Sequence, residues 1–225
     1  MTNNLNMPPK ISVEGKPKYI NIGDEHNFFE LFRKIERNFV NCFLFESLGE
    51  ESNISRYHIL GFDPKYILHS ENNNQLVLEN TKNGDIYKYD CENPYLKLRD
   101  VVPQNIISRK YAGGLVGFIS YDSINYFENS LNIKKNKNFE SFKFGVYLDG
   151  LIYDQMTGEI FYYYYEDNRI QEITNILNHS YSFNKGVKTK FIRDSITKDE
   201  HRKTVLKIKE DIKKGLIFQC EVGFK

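Results

Sequence analysis

Phe144-Gly145-Val146-Tyr147-Leu148-Asp149-Gly150-Leu151-Ile152-Tyr153, then Gln155-Met156-Thr157-Gly158, then Glu159-Ile160-Phe161-Tyr162-Tyr163-Tyr164-Tyr165, reads as two strands closed into a hairpin. Aromatic and β-branched side chains suit a pleated, half-buried surface, and the Gly-containing tetrapeptide supplies the turn. Alternation along Tyr162 to Tyr165 predicts two rings buried and two exposed, an amphipathic strand rather than a stacking site for a ligand. The same grammar recurs upstream. Gln75–Glu79 and Asp85–Asp90 flank Lys82-Asn83-Gly84, and Asn-Gly is a strong hairpin cue. Arg56–Phe62 and Lys65–Ser70 read as strands separated by the turn signal Asp63-Pro64, Val40–Phe45 as a short buried strand and Lys188–Arg193 as another. Helical spacing appears over residues 25–37, where Phe28, Phe32 and Ile35 share a face, over 93–102 and over 166–178. A last helix opens with a capping box, Thr197 and Glu200, carries His201, Val205, Ile208 and Ile212 on one face, and stops at Gly215. Many strands broken by a few helices predict an α+β fold with antiparallel sheets.

Composition narrows the function classes. Lys and Arg number 31 against 30 Asp and Glu, a net charge of +1, which argues against duplex DNA as the dominant partner. Cys42, Cys91 and Cys220 lie far apart with no CxxC spacing, as expected of a reduced compartment. The segment Met1–Lys10 is polar and contains proline, unlike a secretory or transit leader, and no apolar run reaches the length of a membrane span. A cytoplasmic protein is the expectation. The histidines, His26, His58, His69, His179 and His201, are scattered, which argues against a zinc site or a catalytic triad.

Three segments could carry chemistry. Phe45-Glu46-Ser47 precedes Arg56-Tyr57-His58-Ile59-Leu60-Gly61. A strand ending in an acid and a hydroxyl can hold a small zwitterion, the acid facing its ammonium and the hydroxyl or nearby N–H groups its carboxylate. Arg56 reads equally as a surface charge or as a partner of Glu46. In Gly113-Gly114-Leu115-Val116-Gly117-Phe118-Ile119-Ser120-Tyr121-Asp122 the glycine spacing fits neither a dinucleotide fingerprint nor a P-loop, and glycine in an apolar run more often marks close backbone packing or a bulge. In Gly215-Leu216-Ile217-Phe218-Gln219, Gln219 is the polar side chain of an apolar stretch, either a buried amide or the outward side of a strand.

Taken together, in this order and at these separations, the segments resemble the large-component family of anthranilate synthase. That family has a Leu-Glu-Ser element, an Arg-Tyr-Ser-Ile-x-Gly element, a Gly-Gly-x-x-Gly-x-x-x-Tyr-Asp element and a helix running into Gly-Asp-Ile-Phe-Gln. Phe45 stands where the family usually has Leu, and His58 where it has Ser. The resemblance implies antiparallel sheets packed as an orthogonal sandwich with flanking helices. It further implies a flexible N-terminus over 1–15, a regulatory domain over 16–193 and, over 194–225, the first helix and strand of a chorismate-binding catalytic domain whose remainder lies beyond this chain. By position, Phe45, Glu46 and Ser47 would line a feedback site for tryptophan between two sheets, and Gln219 would sit at the edge of the active site. The isochorismate-forming relatives carry Lys at that point, where it can act as a base; a neutral amide cannot. The implied reaction adds ammonia to chorismate and eliminates pyruvate to give anthranilate, with Mg²⁺ holding chorismate and a glutamine amidotransferase subunit delivering the ammonia. The chain by itself is expected to be inactive. The sister reading is the aminodeoxychorismate synthase large component, and a stand-alone tryptophan sensor is the reading without chemistry.

Overall fold

The computed structural model describes residues 10–13, 15–24, 27–47, 49, 55–71, 74–102, 111, 113–128, 130–182, 186 and 188–223. Two compact units divide between Tyr181 and Ser182, upstream of the boundary expected at residue 193. The first unit holds β1 (Lys18–Gly23), α1 (Phe28–Ile35), β2 (Cys42–Phe45), β3 (Tyr57–Phe62), β4 (Tyr66–Glu71), β5 (Gln75–Asn80), β6 (Ile86–Asp90), α2 (Pro94–Val101), β7 (Gly114–Ile119), β8 (Phe142–Tyr147), β9 (Asp149–Asp154), β10 (Glu159–Tyr164) and α3 (Ile170–Asn178). A short 3-10 helix, Tyr121–Tyr126, follows β7. The fold is α+β, with two antiparallel five-stranded sheets ordered β1-β10-β9-β3-β2 and β6-β5-β4-β8-β7.

Each sheet buries one face under helices. Asn27 caps α1 by accepting from the Glu30 amide, and the helix turns Phe28, Leu31 and Ile35 inward. With Ile173 and Leu177 of α3 they cover Leu60, Phe62, Leu151, Ile160 and Tyr162 of the first sheet. The second sheet presents Leu68, Leu76, Leu78, Phe142 and Val146 to Leu98 and Val101 of α2. Ile11 joins this second core at 2% exposure, and its amide donates to the Val101 carbonyl at 2.8 Å. The flexible stretch expected over 1–15 is therefore anchored at Ile11; residues 1–9 lie outside the described set.

The stretch 144–153 is not one strand. It changes sheets at Leu148: β8 pairs with β4 and β7 in the second sheet, whereas β9 pairs with β3 and β10 in the first. Asp63-Pro64 is likewise no hairpin turn, because β3 and β4 belong to different sheets. The two crossings run side by side. Gly61 faces Gly150 before the bend and Tyr66 faces Val146 after it, so residues 62–65 oppose only residues 147–149. That extra residue acts as a bulge acts, bending the ribbon from one sheet into the other. Asp63 adopts φ 50°, a left-handed conformation that Asp tolerates better than most residues.

Tyr162 and Tyr163 are both 0% exposed and Tyr165 is 5% exposed, so the run of tyrosines does not alternate between core and solvent. The reason is that β10 lies inside its sheet and both of its faces are covered. Tyr162 points into the first core, while Tyr163 packs edge-on against Tyr111 at 5.8 Å on the other side.

Arg169, just ahead of α3, ties the two crossings together. Its Nε and Nη2 donate to Oδ2 and Oδ1 of Asp149, each at 2.9 Å, and its Nη1 donates to Asp63 Oδ2 at 2.7 Å. The Tyr162 hydroxyl donates to Asp149 Oδ2 at 2.9 Å, and Lys82 reaches Asp63 from the β5–β6 turn. The guanidinium lies over the rings of Phe62 and Phe39, 5.4 and 5.6 Å from their centroids. Burial pushes the Asp149 carboxyl above its ordinary value, and Arg169 and Tyr162 offset only part of that. Burial also works to raise the Asp63 carboxyl, but Lys82 and Arg169 more than cancel it and hold it below its ordinary value.

The second unit contains α4 (Lys198–Lys213) with the expected capping box, Thr197 to Glu200, and Gly215 at φ 73° after its end. The strands expected at 188–193 and after Gly215 do not form among the described residues. A strand requires a hydrogen-bonded neighbour, and neither segment has one there. Gln219 is exposed.

Arg169→Met is expected to lower the unfolding free energy by ~3–5 kcal/mol in urea denaturation, since it strands a buried Asp149 charge. A loss within the range of an ordinary surface change would contradict this. Because Asp63 titrates below its ordinary 3.8 in the folded chain, its contribution is whole above pH 3.8 and lost as acid protonates it. The stability gap between the native chain and Asp63→Asn should therefore stay constant towards neutrality and close below pH 3.8.

Candidate functional site

The edge of the first sheet carries the residues singled out by sequence. Strand β2 pairs with β3 so that Phe43 faces Gly61, Leu44 faces Leu60 and Phe45 faces Ile59. Phe43 lies across Gly61, where any Cβ would overlap its ring. The glycine that closes the Arg56–Gly61 motif thus makes room for an aromatic side chain on the neighbouring strand. From there the Phe43 ring reaches the second sheet, meeting Tyr147 edge-on at 4.8 Å, and on its other side it meets Phe45 at 4.9 Å. Burial, with a smaller contribution from Cys42, pushes the Tyr147 phenol up to about 12. Tyr147, Phe43 and Phe45 form an aromatic series that runs from between the sheets to an open end, where Phe45 is 53% exposed.

Ser47 sits at that end. Its hydroxyl donates to the Tyr57 carbonyl at 3.1 Å, and its own carbonyl accepts from Gln155 Nε2 at 3.3 Å. Gln155, in the β9–β10 turn, also donates to the Ser55 carbonyl, so one amide side chain holds the turn against the end of β2. Glu46 turns towards the helix-covered face. Its carboxylate lies 3.5 Å from His58 Nδ1 without forming a hydrogen bond, and the His58 ring packs against Phe28 and Tyr153. Phe45 and Ser47 therefore share the sheet edge with Glu46, but Phe45 and Glu46 serve opposite faces of it.

Arg56 partners Asp154, not Glu46. Its Nε and Nη2 donate to the two carboxylate oxygens at 2.9 and 2.7 Å, a bidentate pair that fixes the start of β3 to the end of β9. The glycine-rich segment is a packing device. Gly113, at φ 76°, lies against the Tyr147 carbonyl, and a Cβ on Gly117 would overlap the backbone of Lys143 in the adjoining strand. Gln219 belongs to the second unit. Among the described residues no group of three or more His, Cys, Asp or Glu side chains is placed to hold a metal ion. Among the described residues no helix is long and apolar enough to cross a membrane.

The sequence reading missed Phe43, Tyr147 and Gln155. The signal for Phe43 was the cross-strand glycine, which is readable only with the β2–β3 register in hand. Tyr147 lies in a stretch that reads in sequence as one continuous strand but ends β8 just before the change of sheet.

The chain belongs to the chorismate-binding enzyme family, whose model matches residues 40–223. It is similar to anthranilate synthase component 1 of Leptospira biflexa, 38% identical over 222 residues, which cover 96% of this chain and 46% of that protein. It is also similar to anthranilate synthase component 1 of Methanothermobacter thermautotrophicus (strain ATCC 29096 / DSM 1053 / JCM 10044 / NBRC 100330 / Delta H), 36% identical over 149 residues, 66% of this chain and 31% of that protein. A solved structure, anthranilate synthase component I from Streptococcus pneumoniae TIGR4, superposes with a TM-score of 0.47 at 19% identity over 75% of this chain and 40% of that chain. The chain spans less than half the length of these relatives.

Ser47→Ala should cost about 1 kcal/mol in urea denaturation, the net worth of its hydrogen bond to Tyr57. A neutral result would show that the hydroxyl does not hold the end of β2.

Proposed function

We propose that the chain is the effector-binding region of an anthranilate synthase large component, together with the opening of its catalytic domain. The whole protein would convert chorismate and ammonia to anthranilate and pyruvate in tryptophan biosynthesis. Membership of the chorismate-binding family and the 38% identity to the Leptospira biflexa protein support the enzyme reading. Gln219 supports an ammonia-using chemistry, since an amide cannot activate water as a lysine base can. A glutamine amidotransferase subunit would supply the ammonia, and Mg²⁺ would be held by residues outside those described.

Feedback by tryptophan rests on one observation, the exposed Phe45 ring beside Ser47 at the end of the aromatic series. An indole laid against Phe45 would extend that series, with the Ser47 region at hand for the polar end of the amino acid, whereas Glu46 would have to turn from His58 to reach it. The register with β3 links this edge to β9 and, through Leu148, to the second sheet. Occupancy of the edge can thus bias the packing of the two sheets, which is what a coupling between distant sites requires.

The test uses the native gene product that carries this sequence, supplied with chorismate, ammonium and Mg²⁺ and followed by anthranilate fluorescence. Anthranilate formation inhibited by tryptophan is expected. Ser47→Phe should raise the half-inhibitory tryptophan concentration about tenfold, within the ~1–3 kcal/mol of typical allosteric coupling, while leaving the uninhibited rate nearly unchanged. Parallel loss of rate and inhibition would remove Ser47 from the effector site. An isochorismate or aminodeoxychorismate product would overturn the enzyme reading.

A further inference from the structure

Gln155 stands in the β9–β10 turn, and that turn is held without its side chain. The Gly158 and Thr157 amides donate to the Asp154 carbonyl at 2.8 and 3.2 Å, and the Met156 amide donates to Asp154 Oδ1 at 3.1 Å. The Gln155 amide donates to the Arg56 carbonyl at 2.8 Å, which ties the turn to the start of β3. Asp154 is 2% exposed, and its carboxylate also takes the bidentate Arg56. The Gln155 side chain leaves this local network and reaches the carbonyls of Ser55 and Ser47, which lie 100 and 108 residues away in sequence.

A side-chain amide carries two hydrogens on one planar nitrogen, and here each meets a different carbonyl. Ser55 adjoins Arg56, which the turn already fixes, so the nitrogen is anchored on that side. Ser47 is the residue that it adjusts. The Ser47 hydroxyl donates to the Tyr57 carbonyl of β3 at 3.1 Å, and its own carbonyl accepts from Gln155 at 3.3 Å. One bond from β3 would leave a residue at a strand end able to swing. A second bond, from another element, fixes its orientation.

We infer that Gln155 is a positioning residue of the effector edge. From the β9–β10 turn it holds the Ser47 region in the orientation that receives the polar end of the amino acid, and so sets the affinity for tryptophan by acting through Ser47. The inference rests on the reading of this edge as an effector site. It makes the turn a second place, far from Ser47 in sequence, at which feedback can be relaxed. The amide chemistry is specific. Glutamate has the same shape but turns acceptors towards two carbonyl oxygens, and methionine keeps the length without a donor.

The test uses the native gene product that carries this sequence, with tryptophan titrated calorimetrically. Turnover with chorismate, ammonium and Mg²⁺ is followed separately by anthranilate fluorescence. Gln155→Met should raise the tryptophan Kd about fivefold, the effect of one hydrogen bond of ordinary net worth, and Gln155→Glu about tenfold, because repulsion is added. In both variants kcat and the KM for chorismate should stay within about twofold of native, since the lost interaction serves the effector alone. Met156→Ala, at a 55% exposed position in the same turn, should leave the Kd unchanged. In the ligand-free protein the carbonyl ¹³C resonances of Ser47 and Ser55 should both move in Gln155→Met. A Ser47 resonance that stays put, or a kcat or KM that changes in parallel with the Kd, would overturn the inference. Native binding with the Kd unchanged in both Gln155 variants would overturn it and leave the effector reading standing. No binding of tryptophan to the native protein would overturn the effector reading, and this inference with it.

Discussion

One guanidinium holds the two sheets at their junction. Both chain crossings, at Asp63 and at Leu148–Asp149, put a carboxylate on the bend, and Arg169 engages both acids at once. Without Arg169, Asp149 would keep only the Tyr162 hydroxyl and Asp63 only Lys82, and breaking a buried charge pair in this way costs several kcal/mol. The side chain also lies on Phe62 and Phe39, so the same residue closes the apolar layer beneath the bend. Tyr162 and Lys82 add donors from β10 and from the β5–β6 turn, which makes the junction a meeting point of both sheets. The geometry downstream follows from it. The contact of Phe43 with Tyr147 joins residues of different sheets, and it exists only if the bend between them is fixed.

On the proposed reading, that contact connects architecture to function. The aromatic series of Tyr147, Phe43 and Phe45 carries the inter-sheet packing out to an exposed ring at the end of β2, beside Ser47. A ligand that lengthened the series would feel, and could shift, the packing of one sheet on the other. Gly61, Arg56 and Gln155 are the supports of this edge. The first makes room for Phe43, the second locks β3 to β9, and the third pins a turn against the carbonyls of Ser47 and Ser55.

Local signals in the sequence were sufficient for most elements. The Asn-Gly hairpin, the α1 stripe and the Thr197–Glu200 capping box all reappear because each is decided by neighbours along the chain. The failures share a cause, namely partners distant in sequence. Nothing local in residues 144–153 marks Leu148 as a change of sheet. Nothing in Tyr162–Tyr165 tells that both faces of β10 are covered. Arg169, inside a stretch read only as helix, gives no sign of the two acids it joins, which lie 106 and 20 residues away. At the site, Phe45, Glu46 and Ser47 were legible as a motif. The turning of Glu46 towards His58, and the reach of Phe43 to Tyr147, needed the register and the crossing.

The central claim is that the end of β2 extends an aromatic series that an indole can join. The most direct measurement is a set of intermolecular nuclear Overhauser effects between tryptophan and the native gene product with isotopically labelled phenylalanine. Contacts from the indole protons to the Phe45 ring, accompanied by a shift of the Ser47 amide, are the predicted result. Saturable tryptophan binding whose contacts fall elsewhere and leave Phe45 untouched would contradict the account.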